Sequence, residues 1–146
     1  LMGNTKIIPL SAAVELSSGT AQGSLYGGTL SVYKRLIASK DMPDLTNAIL
    51  FFEDCNEELS RIDAELCFMR RSGIFENAAG IIFGQFINML DTGTPFGFTL
   101  EDIIREHTDG LNIPILMNAP FGHGNDLPAF PIGANVRLEN KALTIL

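Results

Sequence analysis

The amino-acid sequence predicts an α/β domain built on a mixed, partly parallel sheet, and three patterns carry that prediction. Short unbroken apolar runs at Ala48 to Phe52, Ala79 to Phe83 and Ile113 to Met117 suit strands covered on both faces. Segments of helical period separate them, and strand alternating with helix is the arrangement that gives parallel pairing. Near the C-terminus, Val136, Leu138, Leu143 and Ile145 flank Glu139-Asn140-Lys141, the pattern of a closing hairpin. The 146 residues suffice for one compact domain spanning 1–146, and a hydrophobic content of 46% supplies its core.

Element by element, Ile8, Leu10, Ala12, Val14 and Leu16 alternate strictly, the period of one half-buried strand ended by Ser17-Ser18-Gly19. A glycine-rich stretch through Gly23, Gly27 and Gly28 reads as a loop before a helix from about Thr29 to Ala38, with Leu30, Tyr33, Leu36 and Ile37 on one side. The apolar run Ala48 to Phe52 is expected to stop at Glu53-Asp54. Leu59, Ile62, Leu66 and Met69 then recur at helical spacing, and Arg70, Arg71 and Gly73 signal the helix end. Thr99 followed by Asp102 resembles a capping box opening a helix to about His107. After the Ile113 to Met117 strand, Asn118 to Pro131 is a loop.

Composition removes several function classes. A net charge of −7, spread along the chain, disfavours a nucleic-acid partner. No apolar stretch approaches the roughly 20 residues that cross a bilayer, so no membrane association is expected. Cys55 and Cys67 form no Cys-x-x-Cys pair, and two free thiols fit a reducing, cytoplasmic compartment. The opening residues show no signal-peptide pattern, and the abrupt start reads as an excised piece of a longer chain.

Chemistry in such sheets gathers beyond the carboxyl ends of strands. Two places qualify: Phe51-Phe52-Glu53-Asp54, and the loop Asn118-Ala119-Pro120-Phe121-Gly122-His123-Gly124. A carboxylate that orients an imidazole underlies general-base catalysis, whereas each group alone is ordinary surface polarity. His107, near a helix C-terminus, reads as structural. Arg61 and Asp63 read as a solvated ion-pair face. Gly27-Gly28 lacks the Lys-Ser/Thr of a phosphate loop, and the two histidines make no metal-ligand spacing, so no cofactor or metal is expected. Gly23-Ser24-Leu25-Tyr26-Gly27 has its glycines misplaced for a nucleophile elbow, and no nucleophile is evident.

Several motifs agree in order. They are Gly19-x-x-x-Gly23-x-Leu25-x-Gly27-Gly28-x-Leu30, Ile49-Leu50-Phe51-Phe52-Glu53-Asp54-x-x-Glu57 and Arg61-Ile62-Asp63. Gly80-Ile81-Ile82-Phe83-Gly84-Gln85-Phe86, Pro114-Ile115, Phe121-Gly122-His123-Gly124 and Leu127-Pro128-x-x-Pro131-Ile132-Gly133-Ala134 complete the set. Together, over about Gly19 to Leu138, the chain resembles the C-terminal domain of LD-carboxypeptidases, the family of murein tetrapeptide carboxypeptidases and microcin C immunity peptidases.

The resemblance implies a single swivelling-type β/α domain that works with an N-terminal domain bearing a nucleophilic serine and oxyanion hole. It implies Glu53 as the triad carboxylate, His123 as the general base and Asp54 as a neighbour. The implied substrate is a murein tetrapeptide or related peptide, from which terminal D-alanine is released across an L,D-bond; an aminoacyl nucleotide is the other family substrate. A homodimer is a further family expectation. Thr29 departs from the family's usual Asn after Gly-Gly, and Ala64 from a frequent Arg. The rival is a non-catalytic binding or dimerisation module with the same fold.

Overall fold

The computed structural model describes residues 6–91, 93–123 and 128–146. Eight strands and three α-helices occur among them: β1 (Ile7–Pro9), β2 (Val14–Ser17), β3 (Ala21–Thr29), α1 (Leu30–Tyr33), β4 (Ile49–Cys55), α2 (Leu59–Arg71), β5 (Gly80–Ile87), α3 (Leu100–Thr108), β6 (Ile115–Met117), β7 (Asn135–Glu139) and β8 (Ala142–Ile145). A 3-10 turn, Lys34–Leu36, follows α1. The order in the sheet is β1-β8-β7-β3-β4-β5-β6-β2. Strands β3 to β6 run parallel, and the flanking pairs are antiparallel. The fold is the mixed α/β architecture expected.

The sheet is curled. β1 and β2 hold opposite edges, yet only Leu10, Ser11, Ala12 and Ala13 join them. That connection reaches at most roughly 17 Å, so the two edges must approach one another. This corrects the expectation of one alternating strand from Ile8 to Leu16. A turn in which the Ala13 N–H bonds the Leu10 carbonyl at 2.9 Å breaks the run, and Val14 ends up 45% exposed. The hairpin turn reaches across, its Lys141 carbonyl taking the Leu10 N–H and its ammonium donating to the Ala13 carbonyl, both at 2.8 Å.

Three further differences share one cause: tertiary contacts outweigh local propensity. The glycine-rich segment read as a loop is the nine-residue strand β3. Its glycines permit close approach, for a Cβ on Gly23 would lie 1.9 Å from the Asn47 carbonyl oxygen and one on Gly27 1.8 Å from that of Phe51. The helix expected from Thr29 to Ala38 is a single turn plus the 3-10 segment, ended by Ala38 at φ 65°. Strands β4 and β5 run past their expected ends at Phe52 and Phe83, carrying Glu53 and Asp54 inside β4. Helix α2 stands where its periodicity placed it, and α3 where its capping box did. The Thr99–Asp102 capping box is formed, and the Thr99 hydroxyl, then its backbone N–H, holds the Asp102 carboxyl below the usual carboxylate range.

Two apolar cores sandwich the sheet. Leu50, Phe52, Ile81 and Phe83 pack with α2 and α3, through residues such as Ile62, Leu66 and Ile104. On the opposite face Ile49, Phe51, Ile82 and Leu116 pack with Leu10, Leu25, Val136 and Phe121. The period of two thus assigns each β4 side chain to a face. No described helix is long and apolar enough to cross a membrane.

Gly27→Ala is expected to lower unfolding stability by about 3 kcal/mol, because the new Cβ collides with backbone at φ 154°, where side chains are rare. The urea midpoint reads this directly, and an unchanged midpoint would contradict the packing argument. Gly28→Ala provides the contrast, since it shares a similar φ of 149° but a Cβ there meets nothing within 4 Å.

Candidate active site

Glu53 continues the Ile49–Phe51 face of β4, so its side chain points towards the core that contains Phe121. The β4–β5 register shifts between Phe52 and Asp54, a bulge of the kind that re-aims side chains near functional sites. The loop after β6 approaches from the same side. Phe121 anchors it with an edge contact to Phe51 at 5.5 Å and a tilted contact to Phe130 at 4.7 Å between ring centroids. Backbone bonds fix the path, the Ala119 N–H to the Phe83 carbonyl at 3.0 Å and the Gln85 N–H to the Phe121 carbonyl at 2.9 Å.

Gly122 then brings the loop onto Glu53. At φ 115° a Cβ there would stand 3.0 Å from the Glu53 Cβ and 3.1 Å from the Gln85 carbonyl oxygen. Only glycine allows that turn without displacement. The next residue is His123, whose Nδ1 lies 2.6 Å from Glu53 Oε2. The His123 side chain is 49% exposed, whereas that of Glu53 is 9% exposed. A buried carboxylate therefore holds one nitrogen of an imidazole that reaches solvent.

The Glu53 carboxylate is satisfied at both oxygens. Oε1 accepts the Thr29 hydroxyl at 2.7 Å, and Oε2 accepts the His123 Nδ1–H. Such charge-assisted bonds offset the cost of burying the carboxylate. Asp54 faces away, as its position one residue on requires. Its Oδ2 accepts the Ser31 N–H at 2.9 Å and its Oδ1 accepts the Cys55 N–H at 2.8 Å. The two consecutive carboxylates thus do different work.

Other sequence candidates lie apart from this pair. His107 is buried in the last turn of α3, where Nε2 meets Asp63 Oδ1 at 2.8 Å and ties α3 to α2. Arg61 pairs with Glu57 and Glu65 on the α2 face. Among the described residues no cluster of three or more His, Cys, Asp or Glu suits a metal ion. Cys55 and Cys67 are both free thiols. A hollow of about 350 Å³ lined by Lys34, Arg35, Arg61, Ala64, Glu65 and Phe68 contains neither Glu53 nor His123. Burial, with a smaller effect of Tyr26, pushes the Tyr33 phenol up to about 12. Gly124 and Leu127, part of the resemblance, fall outside the described residues. Thr29 is the contact that motif reasoning missed: the register Thr29↔Glu53 becomes visible only once the glycine-rich segment is recognised as a strand.

Fold and site together define an α/β domain that presents a carboxylate-oriented imidazole at the carboxyl ends of the parallel strands of a mixed sheet. The LD-carboxypeptidase C-terminal domain family matches residues 22–138, and the chain belongs to that family. A Synechocystis protein bearing a carboxypeptidase name, slr1534, is 33% identical over 150 residues, covering 99% of this chain and 49% of its own. A Bacillus subtilis protein named for murein peptide carboxypeptidase activity is 30% identical over 135 residues, covering 92% and 42%. The crystal structure of muramoyltetrapeptide carboxypeptidase from Oxalobacter formigenes superposes with a TM-score of 0.80 at 25% identity, covering 97% of this chain and 50% of that one. The chain spans about half the length of the curated relatives it matches.

Proposed function

We propose that this domain supplies the general base and its orienting carboxylate to a serine carboxypeptidase that releases terminal D-alanine from a murein tetrapeptide. The 2.6 Å contact between a buried Glu53 and a half-exposed His123 carries the proposal. The serine and oxyanion hole belong, in this proposal, to a second domain. The support is the length of the relatives, together with the lack of any serine hydrogen-bonded to His123 among the described residues.

In the proposed reaction the serine Oγ attacks the scissile carbonyl while His123 Nε2 takes its proton. Glu53 holds Nδ1–H, which fixes the tautomer and stabilises the imidazolium. As the tetrahedral intermediate collapses, His123 passes the proton to the departing D-alanine amine. Water then attacks the acyl-serine with His123 again as base, which frees the shortened peptide and restores the serine.

The division of labour makes a direct prediction. The 146-residue chain alone releases no D-alanine from muramyl tetrapeptide above a buffer blank, because nucleophile and oxyanion donors are elsewhere. A polypeptide joining it to a serine-bearing half restores release. Chromatographic assay of free D-alanine decides it, and release by the chain alone that survives controls for contaminating peptidase overturns the scheme.

A further inference from the structure

We propose that Thr29 is a positioning residue for His123, acting through Glu53, and that Asp54 frees its hydroxyl for that role. The inference rests on the Glu53–His123 pairing proposed above and extends it.

Thr29 is the N-cap of α1, with extended backbone at φ −62° and ψ 120°. A threonine there ordinarily turns its oxygen to the N–H groups one turn into the helix. Here it makes no capping bond. The Ser31 N–H, two residues on, is taken instead by Asp54 Oδ2 at 2.9 Å. With the cap supplied from β4, the Thr29 hydroxyl donates to Glu53 Oε1 at 2.7 Å. The register supports this geometry, because Thr29 and Glu53 are direct partners across the parallel β3–β4 pair.

A carboxylate held at one oxygen only can rotate about its final torsion. Glu53 is held at both, by Thr29 on Oε1 and His123 on Oε2, while Gly122 packs against its Cβ and Cγ. The Thr29 hydroxyl therefore sets the plane in which Oε2 meets Nδ1–H. The adjacent acidic residues divide the task, Glu53 facing the imidazole and Asp54 fixing the turn that carries Thr29.

The test reads the imidazole rather than turnover. In the ¹⁵N-labelled chain the two histidines, His107 and His123, present opposite nitrogens to their carboxylates, so their tautomers are separable and His107 is an internal reference. Thr29→Val removes the hydroxyl while keeping the shape. It is expected to give roughly a twofold or greater loss of the Nδ1–H tautomer of His123, with His107 unchanged, and Thr29→Ser to restore it. Thr29→Ala replaces the valine variant if the methyl that takes the place of the hydroxyl perturbs the backbone spectrum. Glu53→Ala, which keeps the Cβ against Gly122, is the control. Loss in Glu53→Ala without loss in Thr29→Val overturns the role of Thr29 and leaves the Glu53–His123 pairing standing. No loss in either variant overturns both.

Discussion

His123→Ala, introduced into an enzyme that carries both halves, is expected to lower kcat by roughly 10⁵-fold or more while moving KM little. In the proposed mechanism the ring accepts the proton of the nucleophile in one step and delivers it to the leaving amine in the same half-reaction, so its loss would remove both transfers. The only other histidine is no substitute, because His107 is buried in α3 with its Nε2 on Asp63. The fold is expected to survive, since His123 lies in a loop with its side chain 49% exposed and the apolar anchor of that loop is Phe121. Single-turnover release of D-alanine, compared with the thermal midpoint of the same preparation, separates chemistry from folding. A variant that retains its midpoint and turns over within tenfold of the parent (about 1.4 kcal/mol of barrier) would remove His123 from the reaction.

Local pattern carried much of the architecture. The Leu59, Ile62, Leu66 and Met69 stripe and the Thr99–Asp102 pair specify α2 and α3 through contacts a few residues apart, and both helices stand where those signals place them. The Asn140-Lys141 turn is similarly local, with φ of 50° and 53° suiting the tight hairpin between β7 and β8. What sequence pattern concealed depends on distant partners. Gly23 and Gly27 weaken a strand by propensity, and only the Asn47 and Phe51 carbonyls pressed against them explain why β3 contains them. The alternation from Ile8 to Leu16 likewise hides a chain that crosses from one sheet edge to the other.

For the site, residue type and strand-end position marked the pair Glu53-Asp54 and His123, the family resemblance chose Glu53 between the two carboxylates, and the chain brings Glu53 and His123 together. Their mutual geometry was legible only as an expectation, because it depends on an extra residue in β5 where its register with β4 shifts and on the positive φ of Gly122. Asp54 reads identically to Glu53 in a sequence, as the next acidic residue after an apolar run. The period of two separates them: one faces Phe121 and the imidazole, the other faces α1. Thr29 carried no signal as a hydrogen-bond donor, since its partner lies 24 residues away and its segment reads as a loop.

That separation sets the sharpest prediction, for Glu53→Gln against Asp54→Asn in a polypeptide that joins this domain to the proposed serine-bearing half. Glu53→Gln is expected to reduce kcat by roughly 10³- to 10⁴-fold with the fold intact. The carboxylate accepts at both oxygens, from Nδ1–H of His123 and from the Thr29 hydroxyl. An amide has one acceptor and one donor end. With its oxygen towards His123 it keeps the tautomer but loses the charge that stabilises the imidazolium. With its NH₂ towards His123 it forces the proton onto Nε2, where the ring no longer accepts the proton of the serine. Both orientations are defective, and the second is wholly so. Asp54→Asn keeps an oxygen for the Ser31 N–H and stays off the imidazole, so its expected cost is about tenfold or less, transmitted through the α1 turn. Rates for both variants, measured at saturating substrate on protein with a native thermal midpoint, rank the two carboxylates. If Asp54→Asn costs more than Glu53→Gln, then Asp54 rather than Glu53 serves the histidine during turnover, and the site as assigned is wrong.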